Sequence, residues 1–325
     1  MEKEKRMTGM PQIGGDKTSE VRQSAMERFK LRFGLRTARD VVEFLVHGLF
    51  FLCGLVAVAC VLFISVYLVI AGLPTMLEIG VTEFLFGDTW SPKQEQLYGI
   101  LPFVLTSVAG TGGAILIGVP VGVLTAMFLA KIANEKVAAV IRTAVSLLAG
   151  IPSVVYGLVG MVVLVPAVQE AFHLSSGANL LSAIVVLAVM ILPSIINVAE
   201  TSLRAVPREY EEASLALGAT HIETIFRVSL PAARSGVATA VVLGIGRAIG
   251  EAMAIIMVSG NVANMPGSLF TPVRFLTTAI ASEMNYAPVG SVWRQSLFSI
   301  GLVLFLFIML INVFLNVFIK NKKED

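Results

Sequence analysis

The chain has 325 residues, of which 56 % are hydrophobic and 14 % charged, and its mean hydropathy is +0.84. A soluble globular domain has roughly twice that share of charge, so the composition excludes that class and describes an integral membrane protein. The formal charge of +2 gives no signal for a nucleic-acid partner, because the basic residues gather at one end and in a few loops.

Residues 1–43 differ in character from the rest of the chain. Glu2–Arg6 is a mixed charge cluster, Thr8–Thr18 is rich in glycine and polar residues, and Val21–Arg39 has the pattern of a basic amphipathic helix carrying Met26, Phe29, Phe33 and Leu35. No short apolar core precedes a small-residue cleavage site, so a secretory signal is not expected. Two readings stand side by side: a mobile tail over 1–20 followed by an interfacial helix over 21–40 on an anionic leaflet, or a plain disordered tail that enforces topology.

Beyond residue 43 lie six apolar stretches, each long enough to cross about 30 Å of hydrocarbon as a helix of roughly 20 residues. They lie near Phe44–Ala71, Gly99–Ala130, Val137–Val165, Leu180–Ala199, Gly236–Gly260 and Ser296–Ile319. Continuous runs of this kind point to helices rather than the short alternating strands of a barrel, and predict an all-α bundle of six transmembrane helices over 44–319. Gly110, Gly112, Gly113, Gly118, Pro120 and Gly122 in the second stretch, Gly150, Pro152, Gly157 and Gly160 in the third, and Pro193 in the fourth interrupt the spans; the small residues suit close packing between membrane helices, and prolines are tolerated where neighbours satisfy the backbone. Cys53 and Cys60, seven residues apart on one helix, are about 10 Å apart by helical rise, too far for a disulfide, and are expected as apolar packing residues.

Between the fourth and fifth stretches, residues 200–235 form a polar island. A helix starting at Pro207 carries Glu209, Glu211 and Glu212 near its positive end, where acidic side chains are favoured. Gly218 supplies a left-handed stop, and Thr220 with Glu223 forms a T-x-x-E capping box that opens a second helix, which Pro231 is expected to close. Tyr210, Ala213 and Leu217 make an apolar stripe on the first helix, and Ile222, Ile225 and Phe226 one on the second. Two short helices with greasy stripes, held outside the lipid, predict a docking surface.

The fifth stretch holds Gly246-Arg247-Ala248-Ile249-Gly250-Glu251. Arginine and glutamate four apart share one face of a helix, and an unpaired charge at mid-membrane costs at least ~2.5–3.5 kcal/mol, so both should face protein or water. They serve either as a self-neutralising pair that fixes helix packing or as part of a substrate pathway.

Lysine and arginine placement sets the orientation. Residues 1–43 hold ten, Lys131–Arg142 three, 200–235 four and 320–325 three, whereas the alternate loops hold Lys93, none around 166–179, and Arg274 with Arg294. The positive-inside rule then places both termini and the 200–235 loop in the cytoplasm, with Trp90 and Trp293 as anchors at the outer interface. Gly110–Gly118 is not followed by Lys-Ser/Thr, and no Gly-Lys dipeptide occurs, so no phosphate-binding loop for ATP is present. His47, His173 and His221 lie on different segments with no metal-ligand spacing, and the residues describe no enzyme.

The loop spacing resembles the EAA loop of ABC importer permeases, E-A-A-x3-G-x9-I-x-L-P, read here as Glu212, Ala213, Ser214, Gly218, Val228, Leu230 and Pro231. Ser214 replaces an alanine and Val228 an isoleucine. With Trp90-Ser91-Pro92, Tyr98–Pro102, Ile151–Gly157 and Gly246–Met253, residues 44–319 resemble the PstC-type permease subunits of bacterial phosphate-specific ABC importers. That resemblance implies a type I importer fold in the bacterial inner membrane. It also implies four kinds of partner: membrane lipid, a PstA-like second permease, two PstB-like ATPase subunits that use the ATP, and a PstS-like extracytoplasmic phosphate-binding protein. It further implies that closure of the ATPases draws the loops together and turns the pathway outward. No cofactor is expected on this chain. Sulfate or molybdate remain alternative oxyanions, since an arginine suits any of them, and a secondary transporter, a channel or a receptor subunit are the alternatives outside this family.

Overall fold

A computed structural model describes residues 38–321, with side chains over 42–313. Residues 1–37, with both readings of them, and 322–325 lie outside the described residues.

The described residues are mostly helical. The first helix, α1, runs Ala38–Ile79 and carries Pro74 within it. A short helix α2 (Val81–Phe86) and a two-residue hairpin, β1 (Trp90–Ser91) paired antiparallel with β2 (Leu97–Tyr98), lead to α3 (Leu101–Met127). Gly87 and Gly99 pass so closely at the base of this hairpin that a Cβ on Gly99 would lie 2.4 Å from the Gly87 carbonyl carbon. Helix α3 ends in a π turn over Phe128–Ile132. Helix α4 (Glu135–Gly150) comes next, its first turn capped by the Asn134 side chain, which accepts a hydrogen bond from the Val137 N–H at 2.9 Å.

The third predicted span is corrected here. Val137–Val165 is not one helix, because Ile151 takes extended backbone (φ −72°, ψ 128°) ahead of Pro152, whose ring disfavours helical geometry in the residue before it. The span instead comprises α5 (Ser153–Val159), a π turn over Gly160–Leu164 and α6 (Val165–Ala171). The amphipathic α4 is a separate element.

Helix α7 (Leu180–Arg204) sits at the centre, packed between α3 and α11 (Arg234–Gly250). The glycines of α3 make this possible: a Cβ on Gly113, Gly118 or Gly122 would come within 2.6, 2.6 and 2.8 Å of Ile184, Ile191 and Ile195 on α7. Gly244 of α11 meets Ile195 in the same way, at 2.9 Å. Small residues here serve helix packing, as in other membrane bundles. The fifth span is also divided, into α11 and α12 (Met253–Val258), with an extended break at Glu251. The chain closes with α13 (Leu276–Glu283) and α14 (Val292–Asn321).

Among the described residues five helical segments are long and apolar enough to span a bilayer, and a sixth arises if His221–Ala232 and Arg234–Gly250, bent by 74°, are counted together. The bend separates loop from span. Residues 221–232 begin at a capping box in the polar island, and the 17 residues of α11 extend only about 25 Å, so α12 is needed to complete a crossing. Cys53 and Cys60, on α1, are free and exposed.

Candidate functional site

The polar island folds largely as its sequence directs. Helix α8 (Arg208–Ala216) starts after Pro207 and carries Glu209 and Glu211 in its first turn. It ends in a complete Schellman motif: Gly218 has φ +90°, its N–H donates to the Leu215 carbonyl at 2.9 Å, and the Ala219 N–H donates to Ser214 at 3.2 Å. Thr220 and Glu223 then form the capping box of α9 (His221–Thr224). The Thr220 N–H donates to Glu223 Oε2 at 3.0 Å, and the Glu223 N–H donates to Thr220 Oγ1 at 3.3 Å. Ser214, the departure from alanine in the loop spacing, is 3.0 Å from Thr224 Oγ1 and ties the two helices together.

Two details differ from the sequence reading. Pro231 does not close the second helix. A π turn over Ile225–Ser229 widens the backbone ahead of it, which relieves the clash between the proline ring and the preceding turn, and the helical path continues as α10 (Leu230–Ala232) before bending at Ala233. Ile225 does not share the outer stripe. It is 2 % exposed and packs with Ala126, Met127, Ala199 and Leu203, with Leu230 against the same cluster. Tyr210, Leu217, Ile222 and Phe226 are exposed, together with Glu212, Ala213 and Pro231, and Leu217 is 90 % exposed. Large apolar side chains standing exposed on an otherwise polar element are the kind of surface that marks a partner contact.

The carboxylate that anchors the loop is Glu211, one residue before the one the spacing singles out. Lys131 in the π turn after α3 pairs with Glu211 at 2.5 Å, and Ser229 donates to the same oxygen at 2.8 Å. Burial alone would raise this carboxyl, but the hydrogen bonds from Lys131 and Ser229 and the charges of Lys131 and His221 outweigh it and hold Glu211 below the ordinary glutamate value. Nearby, Glu200 at the end of α7 is 6 % exposed and accepts from Arg142 Nε at 2.7 Å and Arg204 Nε at 2.9 Å. Arg204 also donates to the Leu129 carbonyl at 3.1 Å. Neither node is visible in motif spacing, since each joins elements far apart in the chain.

Arg247 and Glu251 are not joined as the self-neutralising pair that their spacing allows. Helix α11 stops at Gly250, and the extended ψ of Glu251 (φ −76°, ψ 132°) turns the chain out of the helix after it. Among the described residues no ion pair joins them. The Glu251 carboxylate instead accepts the Ala254 N–H at 3.0 Å at the start of α12, and its carbonyl accepts the Thr277 hydroxyl at 2.7 Å. Arg247 makes one long hydrogen bond, 3.3 Å to Ser194 Oγ. Among the described residues this is its one side-chain hydrogen bond, which leaves four of the five guanidinium N–H groups to serve another acceptor. Gly246 and Gly250 beside it present open space, with no atom within 4 Å of a Cβ position. Interrupted backbone at membrane depth is tolerated only where it is buried in protein or lines a cavity.

At the opposite end, Glu283 gathers a second cluster. It accepts from the indole N–H of Trp90 at 3.0 Å, from that of Trp293 at 2.7 Å, and from Arg274. Arg274 also donates to the Asn261 carbonyl at 2.7 Å. Trp90 is 8 % exposed, stacked edge-on against Tyr98 and Phe103. Both indole N–H groups, which the sequence suggested as anchors at the interface, thus bond to Glu283. A cavity of about 510 Å³ opens over this cluster.

Residues 118–322 match the family described as binding-protein-dependent transport system inner membrane component. YqgH of Bacillus subtilis (strain 168), described as a probable ABC transporter permease protein, is 42 % identical over 80 % of this chain and 86 % of its own. The phosphate transport system permease protein PstC of Pasteurella multocida (strain Pm70) is 35 % identical over 75 % of this chain and 83 % of its own. PstC of Haemophilus influenzae is 33 % identical over 80 % and 90 %. Among solved structures, an inward-facing form of the MetNI methionine ABC transporter superposes with a TM-score of 0.55 at 21 % identity, covering 68 % of this chain and 95 % of that one, which bears on the fold alone. The chain is a multi-pass membrane protein with the type I ABC importer permease fold, and it belongs to the binding-protein-dependent transport system inner membrane component family.

Proposed function

We propose that the chain is a permease subunit of an ATP-driven importer that moves inorganic phosphate across the cytoplasmic membrane. The observation that carries this reading is the similarity to PstC proteins over three quarters or more of the chain. In this reading both termini and the loop 200–235 face the cytoplasm. The exposed patch of Tyr210, Leu217, Ile222 and Phe226 receives an ATPase subunit, two of which supply ATP hydrolysis. A second, homologous permease completes the pathway, and an extracytoplasmic phosphate-binding protein delivers the substrate. Arg247 is the group on this chain that meets the anion: a guanidinium with unused donors, flanked by open glycines, offers charge-assisted hydrogen bonds to a tetrahedral oxyanion. Glu251, committed to the start of α12, shapes the break and does not neutralise Arg247.

Uptake of labelled phosphate by cells expressing the chain with its ATPase, partner permease and binding protein tests the proposal. Uptake should resist a large excess of sulfate, and Arg247→Gln should abolish it while membrane insertion and ATPase capture stay normal. Uptake suppressed by sulfate or molybdate would transfer the permease to another oxyanion. Unchanged transport in Arg247→Gln would remove the arginine from the pathway.

A further inference from the structure

Lys131 ties the loop that carries the exposed apolar side chains to the spanning helices by polar contacts, beside the apolar packing of Ile225. Lys131 lies in the π turn Phe128–Ile132 and uses two different groups on two different loop helices. Its ammonium pairs with Glu211 of α8, and its carbonyl lies 3.0 Å from His221 Nε2 at the start of α9. Both partners of the ion pair are largely sheltered, with side chains 9 % and 19 % exposed, and Ser229, fully buried, fixes the same Glu211 oxygen from the far side of the loop. The same π turn is held to α7 through Leu129 and Arg204. Upstream of it, α3 runs without a break to the glycine contacts with α7.

We propose that the Lys131–Glu211 pair is the positioning element that converts movement of the docking loop into movement of α3. The proposal rests on the reading of exposed Tyr210, Leu217, Ile222 and Phe226 as the ATPase docking surface. An apolar contact such as Ile225 in its cluster resists separation but tolerates sliding, because dispersion and burial are non-directional. A sheltered ion pair with a third hydrogen bond fixes direction and register as well, and loses its partner's compensation as soon as the geometry slips. Lys131 and Glu211 are sheltered where Tyr210, Leu217, Ile222 and Phe226 are exposed, so the pair is placed to transmit rather than to dock.

The test uses the complete transporter in proteoliposomes, with ATPase capture and phosphate moved per ATP hydrolysed measured in the same preparations. Lys131→Met and Glu211→Gln should capture the ATPase and hydrolyse ATP at wild-type levels, with phosphate moved per ATP falling about tenfold, the scale of an ordinary coupling energy between sites. The exchange Lys131→Glu with Glu211→Lys should restore that ratio to within about threefold, since the interaction and not either residue is what matters. Single variants that keep the wild-type ratio overturn the proposal, as does a loss of transport that only follows a loss of captured ATPase. If the single variants fail to assemble, the exchange decides: an assembled but uncoupled exchange variant also overturns it. A wild-type complex in which the loop captures no ATPase would defeat the docking reading itself, a result separate from all of these.

Discussion

Gly218 shows how much one backbone angle carries. Its φ of +90° lies where an L side chain is strained, yet no atom is within 4 Å of a Cβ built there, so space is not the constraint. Substitution therefore acts through conformation, with a penalty of order 1–2 kcal/mol for a left-handed non-glycine residue, greatest for a β-branched one. Gly218→Val should release the Schellman motif, misdirect α9 and reduce ATPase capture in pull-down from membranes with normal permease levels, while Gly218→Asn should come close to wild type. Equal capture by both variants would make the turn a passive connector. This angle was legible in sequence, because a glycine followed by T-x-x-E leaves few alternatives. The anchoring role of Glu211 was not. Two adjacent glutamates at a helix start satisfy the same local rules, and only the approach of Lys131 from 80 positions upstream distinguishes them.

At the scale of elements, the bundle depends on a few close approaches that allow no added atom. Gly157 on α5 faces the backbone of α12: a Cβ there would lie 2.8 Å from the Ala254 Cα and 3.0 Å from its carbonyl oxygen, neither of which can rotate away. Gly157→Ala should cost about 1–3 kcal/mol by forcing the two helices apart, seen as a lower melting temperature of the detergent-purified chain. Gly112→Ala on α3, with open space at its Cβ position, should be neutral or slightly stabilising, since alanine is favoured over glycine in a helix by about 0.5–1 kcal/mol. A matching loss in both would mean that these glycines matter only as helix formers. The positions of the apolar runs were readable throughout, but two internal breaks were not assigned. Pro152 did announce the first through its effect on Ile151. Nothing of that kind precedes Glu251, where the break is held by contacts from Ala254 and Thr277 that spacing along the chain does not reveal.

For the molecule as a whole, the distribution of lysine and arginine makes a prediction independent of any motif. Single cysteines at Ser91 and Ser291, in a chain whose Cys53 and Cys60 are replaced by serine, should react with a membrane-impermeant thiol reagent added outside intact cells. A cysteine at Thr220 should react only after permeabilisation. External labelling at Thr220 would invert the topology and with it the cytoplasmic docking surface. The family resemblance and the helix count were accessible from composition and the loop spacing, whereas the nodes at Glu211, Glu200 and Glu283 required the packed chain. One contrast in that packing reaches beyond mechanism. None of the apolar window of α1 is buried within this chain, against 61 % of that of α7. A position left unburied is not held to one side-chain shape by close packing, while one wedged between α3 and α11 must keep its shape. Descendants of this gene should therefore rewrite α1 freely and α7 hardly at all, so that the two helices, of similar hydropathy today, come to age at very different rates.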